Sequence, residues 1–195
     1  AQENAFGVFL ISMTGDNDDL AMLAKMIKAK YPQLKVGINL LGKSAISSLD
    51  TSQVFGLDMT WSDNPIVTSS GVGQEAAYIQ GILKETEHMF FNSVAFKYQK
   101  FERNVGLAAE LSKNCGFIPT TSGEATGSAA DLTKIMQMKS AIGEYPLAVA
   151  SGLDPENITE YLDYLEYGLV ATGISKTFHE LDQDKLRLLM QKSVK

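Results

Sequence analysis

The sequence predicts an α/β fold, a (β/α)8 barrel of the TIM type with seven recognisable strands. Three observations lead there. Short runs that are apolar on both faces, the mark of buried parallel strands, alternate with amphipathic helical segments from one end of the 195 residues to the other. No linker, repeat tract or low-complexity stretch interrupts the alternation, so residues 1–195 read as a single α/β barrel domain. Polar and glycine residues follow the C-terminal end of nearly every strand, whereas an open doubly wound sheet concentrates them at one switch point.

The elements follow in order. GVFLISM (7–13) reads as a strand, and 18–30 as a helix with acids leading, lysines trailing and Leu20, Leu23, Ala24 and Ile27 on one face. KVGINLL (35–41) is the next strand. The segment 44–53 carries the weakest helical signal. Strand LDMTWS (57–62), helix 74–86, strand MFFNSVAFK (89–97) and helix 102–113 come next. FIPTT (117–121) is a strand despite Pro119, which removes a ladder donor and implies a bulge or a local end. Helix 130–142, strand PLAVAS (146–151), helix 155–165, strand GLVAT (168–172) and helix 182–191 complete the chain. Seven strands are one short of the barrel, so the opening β-α unit reads as absent or atypical.

Composition narrows the function. A net charge of −6 disfavours generic nucleic-acid binding, which uses a basic face. One cysteine, Cys115, allows no intramolecular disulfide, and no run is long enough for a transmembrane helix. No signal peptide is read at the opening AQEN, and the cytoplasm is the expected compartment. An incomplete barrel exposes strand edges, which points to a homo-oligomer.

The most informative stretch is 117–176. Three strands end there in the glycine loops TTSGEATG, ASGLDPEN and ATGISK, spaced by about thirty and then about twenty residues. Backbone N–H groups and a helix N-terminus can surround a phosphate at such strand ends. Asp154 with Pro155 can equally be a plain helix cap.

These loops, together with VGINLL (36–41) and AFKYQ (95–99), resemble the phosphoribosylanthranilate isomerase-like superfamily of ribulose-phosphate-binding barrels. Within it the chain is similar to the BtpA/SgcQ family and its relatives. The resemblance implies a phosphate cradle from Gly152, Leu153, Gly173 and Ile174, approached by Gly123 and Gly127. It implies that GVFLISM is the second barrel strand. The isomerases use a cysteine ending the first strand and an aspartate ending the sixth. Thr120 or Thr121 stands in place of that aspartate, which argues against the isomerase reaction itself. Relatives of BtpA are linked to photosystem I biogenesis.

Other residues carry candidate chemistry. Lys97 closes an apolar run, where a charge needs a partner or water, and can bind an oxyanion or move a proton. Asp63 in WSDNP can pair with it across the barrel mouth. Asn39 offers a donor and an acceptor to a ligand, and Thr121 can help orient it. Glu124 is a weaker candidate base. SMTGDNDD (12–19) lacks the glycine and distal glutamate of a calcium loop, and His88 and His179 have no spaced partner, so no metal or other cofactor is expected. The expected function is binding of a small phosphorylated metabolite, with isomerase or lyase acid/base chemistry. The alternative is a non-catalytic BtpA-like assembly factor, or a phosphate-ligand sensor, on a degenerate barrel.

Overall fold

Short apolar runs become parallel strands here because each can bury both faces, one against helices and one against the barrel interior. The structure is a computed structural model that describes residues 5–15, 17 and 19–194. The main strands are β1 (Gly7–Ile11), β2 (Lys35–Asn39), β3 (Met59–Ser62), β4 (Met89–Ser93), β5 (Ile118–Thr121), β6 (Ala148–Ala150) and β7 (Tyr167–Leu169). All pair in parallel and in sequence order, giving one curled seven-stranded sheet. Among the described residues β1 and β7 do not pair with each other. The α/β barrel fold and the seven strands are as the sequence predicts.

Among the described residues six α-helices form the outer layer: α1 (Leu20–Lys30), α2 (Ala45–Val54), α3 (Glu75–Glu85), α4 (Val105–Asn114), α5 (Leu132–Ile142) and α6 (Gln183–Lys192). Side-chain oxygens start four of them by accepting orphan backbone N–H groups. Ser44 takes that of Ser47, Asn104 that of Leu107, Asp131 that of Thr133, and Asp182 those of Asp184 and Lys185. The weakest helical signal, at 44–53, is a full helix because Ala45, Leu49 and Ser52 lie buried on one side. No helix among the described residues is long and apolar enough to cross a membrane.

Strand parity separates two cores. Ile38, Phe90, Val149 and their like pack outward against helices. Met59, Trp61, Phe91, Ile118, Ala148 and Ala150 face the interior, with Phe9 and Tyr167 against them. Edge-to-face ring contacts knit this interior: Phe9–Phe91 at 5.1 Å, Phe9–Trp61 at 5.9 Å and Phe91–Tyr167 at 5.4 Å. Each such pair adds about 1 kcal/mol beyond its area. Phe6 meets Tyr167 at 5.4 Å, so side chains span the seam that backbone pairing leaves open.

Several expected boundaries shift. The helix expected over 155–165 is a single 3-10 turn, Ile158–Glu160, followed by further turns. Ile158, Tyr161 and Leu165 are still buried, and the i, i+3 spacing of the first two suits a 3-10 turn as well as an α-helix. The Tyr161 hydroxyl also donates to Ala130 O at 2.9 Å, tying the segment to the preceding loop. Pro119 needs no bulge: pairing of β5 with β6 begins only at Thr120–Ala148, one residue later, so the missing donor is not called on. β4 stops at Ser93 rather than running to Lys97, because Ala95 turns left-handed at φ 48°. The reading of AQEN, and Asp16 and Asp18 of the acidic segment, lie outside the described residues.

Candidate phosphate and acid/base site

Residues of one parity on each strand reach the C-terminal mouth of the barrel. Asn39 ends β2, is buried, and donates from Nδ2 to Asp63 Oδ1 at 3.0 Å. Asp63 follows β3. Burial pushes its carboxyl above the usual range, against the opposing pull of the Asn39 amide and the Lys97 charge. Lys97 stands four residues beyond β4, half-buried, with Nζ 3.1 Å from Thr126 Oγ1 and 5.6 Å from the Phe96 ring centre. Its charge is felt at Asp63, but its hydrogen bond goes to Thr126.

Gln99, which the sequence reading left unassigned, joins these groups. Its Nε2 donates to Asp63 O at 2.9 Å while its Oε1 accepts the Phe96 N–H at 3.1 Å. A second residue missed is Lys134 on α5. Its ammonium bonds Ser122 O at 2.5 Å and Ala95 O at 3.2 Å, and burial lowers its pKa against the pull of Asp131 and Glu124. Neither contact has a local sequence signal, since both partners lie in other loops.

Thr121 is held apart from this group. It pairs laterally with Val149, which packs among the helices, and its Oγ1 donates to Ala95 O at 3.2 Å. By strand alternation the inward place belongs to its neighbour Thr120, which is fully buried and bonds Ile118 O. Glu124 is exposed on the loop.

The glycine loops meet closely. A Cβ on Gly173 would stand 2.0 Å from Leu153 O, so only glycine lets these two loops touch. A Cβ on Gly152 would meet Ser128 O at 2.0 Å, and one on Gly123 would meet it at 2.1 Å. Ser151 and Gly152 are both left-handed, at φ 73° and 74°. Among the described residues no protein acceptor takes the N–H of Gly152, Leu153 or Gly173. Gly127 and Ile174 differ: their N–H groups donate to Ser151 Oγ at 3.0 Å and to Ala171 O at 3.1 Å. Asp154 braces a turn rather than capping a helix, its Oδ1 accepting the N–H groups of Glu156 and Asn157 at 2.9 Å each ahead of the 3-10 turn at Ile158–Glu160.

Other sequence candidates lie elsewhere. His88 sits at the start of β4, at the opposite end of the barrel, bonded to Thr60 Oγ1 at 2.8 Å and Leu57 O at 3.1 Å. Cys115 is free and buried beyond α4, where burial pushes its thiol up. Among the described residues no cluster of His, Cys, Asp and Glu is placed to hold a metal. Two shallow hollows, of about 410 and about 600 Å³, lie against α2 and between α4 and α5, away from the mouth.

No protein-family model matches the chain, and no curated protein matches it. Solved structures do. The chain is similar to phosphoribosyl anthranilate isomerase from Thermus thermophilus, with a TM-score of 0.71 and 14% identity over 98% of this chain and 88% of that one. It is similar to the same enzyme from Thermotoga maritima, with a TM-score of 0.69 and 15% identity over 98% and 89%. A third is 3-hexulose-6-phosphate synthase from Salmonella typhimurium, with a TM-score of 0.68 and 13% identity over 95% and 85%. At such identities the likeness is one of fold.

Proposed function

We propose that this chain binds a small phosphorylated metabolite at the C-terminal ends of its strands and acts on it by isomerase or lyase acid/base chemistry. The observation that carries this is the trio of unpaired N–H groups on Gly152, Leu153 and Gly173, in two loops that touch. Leu153 is buried and Gly152 and Gly173 are half-buried, and a phosphate oxygen supplies the acceptor that their N–H groups lack. The similar barrels from Thermus, Thermotoga and Salmonella, named for phosphorylated substrates, support the reading. Gly123 and Gly127 shape the loops beside the anion, and Ile174 holds its own loop.

Lys97 and Asp63 are the proton-transfer or oxyanion pair. Asp63, raised by burial, is poised to take a proton, and Asn39 orients it. Thr121 acts through the Ala95 loop. The whole is a single cytoplasmic barrel domain without a metal or cofactor.

Thermal denaturation with phosphorylated sugars, inorganic phosphate and sulfate tests the anion site, because a ligand of the native state raises the melting temperature. Stabilisation by phosphate compounds is expected, and none from any of them removes the proposal. Lys97→Ala is expected to lower turnover by about 10²–10⁴-fold while leaving ligand binding nearly unchanged.

A second reading has its own observation. The β1 and β7 edges are unpaired among the described residues, and Phe6, Met22, Leu23 and Met26 are exposed beside β1. Such a surface suits a homo-oligomer or a BtpA-like assembly factor, in which the phosphate site is a sensor. Sedimentation of the purified chain separates the two, since an inert, self-associating protein favours the second.

A further inference from the structure

The loop after β4 carries, besides Lys97, groups that phosphate binding and proton transfer leave unused. It reads KYQKFER (97–103), and in a chain of net charge −6 it brings three cations, Lys97, Lys100 and Arg103, into seven residues. Two large aromatic rings stand among them in solvent, Tyr98 81% exposed and Phe101 89% exposed. Tyr98 is also left-handed, at φ 65°, a conformation that costs a bulky residue about 1 kcal/mol or more.

The loop is tied to the anion site. Thr126 accepts the Lys97 ammonium at 3.1 Å, and the neighbouring Tyr98 phenol is held below its usual range by Thr126. Gly127, the next residue, donates to Ser151 Oγ at 3.0 Å, and Ser151 leads directly into Gly152. The ring of Tyr98 therefore lies on the same connected rim as the unpaired N–H groups.

We propose that Tyr98 and Phe101 form a stacking platform for a nucleobase, and that the phosphorylated ligand is a nucleoside monophosphate. This rests on the phosphate reading above. The phosphate sits on Gly152, Leu153 and Gly173, and the base lies over the 97–103 loop. Every base has a π-face, so aromatic side chains stack with purines and pyrimidines alike. Lys100 and Arg103 add attraction for the anionic ligand and cation–π contact with the base.

The test is calorimetric titration of the full chain with AMP, UMP, ribose 5-phosphate and inorganic phosphate, repeated on Tyr98→Ala, Phe101→Ala and Tyr98→Phe. The nucleotides are expected to bind at least about tenfold more tightly than ribose 5-phosphate. Each alanine variant is expected to remove about tenfold or more of that affinity while sparing ribose 5-phosphate, and Tyr98→Phe to retain it. Ribose 5-phosphate binding as tightly as the nucleotides overturns the platform and leaves the phosphate site standing, as do alanine variants that weaken all ligands alike. Binding of none of the four compounds overturns the phosphate reading itself. If Tyr98→Ala abolishes self-association in sedimentation and spares nucleotide affinity, the rings belong to a contact between copies and the platform is wrong.

Discussion

At the N-terminal end of the barrel, Asp58 meets the ammonium of Lys28 at 2.9 Å and that of Lys35 at 3.5 Å, and accepts the Val36 N–H at 3.0 Å. At the C-terminal end, Asp63 has the Asn39 amide and a Lys97 whose hydrogen bond goes elsewhere. The two carboxyls shift in opposite directions. Burial raises both, but the Val36 N–H and the two lysines overcome it at Asp58, while nothing near Asp63 does. The backbone divides the same way. The non-glycine residues with left-handed φ among those described, Ala95, Tyr98 and Ser151, all follow the C-terminal ends of strands. One end matches its charges and relaxes its chain. The other keeps a desolvated acid, strained turns and unpaired donors, the features of a site rather than of a brace.

The contrast can be broken at either end. The largest effect is expected at the mouth. Gly173→Ala drives a Cβ to within 2.0 Å of Leu153 O, so the loop must move and the three donors lose their aim. At about 1.5 kcal/mol for each charged hydrogen bond, affinity for phosphate compounds falls roughly a thousandfold. Titration of the variant measures it, and unchanged affinity refutes the cradle.

Next comes His88 at the lower end. Burial brings its pKa down to about 4, so the unfolded chain, with a histidine near 6.5, takes up the proton first. Its contribution is whole above about pH 6.5, declines as the pH falls from there, and is lost below about pH 4. That amounts to roughly 3 kcal/mol. Urea melts between pH 7 and 4 should show this slope, and His88→Gln should flatten it.

Asp58 and Asp63 give the sharpest pairing. Asp58→Asn removes an ionic acceptor and is expected to cost about 2 kcal/mol of stability without touching ligand affinity. The wild-type contribution of Asp58 is present above its unfolded pKa and is lost as the pH falls through its lowered folded value. Asp63 has the opposite sign. Its folded pKa is raised, so protonation favours the fold, and Asp63→Asn should leave the melting temperature unchanged or higher while turnover is lost. Equal destabilisation by both variants would erase the distinction between the two ends. The smallest effect is expected from Lys139→Ala, whose 2.7 Å pair with the partly exposed Glu166 is worth about 1 kcal/mol or less in denaturant melts.

Much of the fold was legible because it depends on local pattern. The strand runs and most helical faces bury what their spacing offers, although Leu23 on α1 stays exposed, and even the faint signal at 44–53 proved to be a helix. The site was legible only in part. The glycine loops stand out in the sequence, but which N–H groups are already taken depends on partners far along the chain, as when Ser151 claims that of Gly127. Gln99 and Lys134 gave no signal because their acceptors are backbone carbonyls in other loops.

By itself the sequence determined the seven main strands, six of the seven helices it predicts (155–165 folds as turns instead) and the set of strand ends that converge on one mouth, because periods of two and 3.6 residues are written within each segment. Only the tertiary structure decided that Thr120 rather than Thr121 faces inward, since a shift of one residue along a strand reverses the side. It also decided which donors stay unpaired. Those outcomes depend on register, and on loops from distant parts of the chain meeting at contacts as close as that between Gly173 and Leu153.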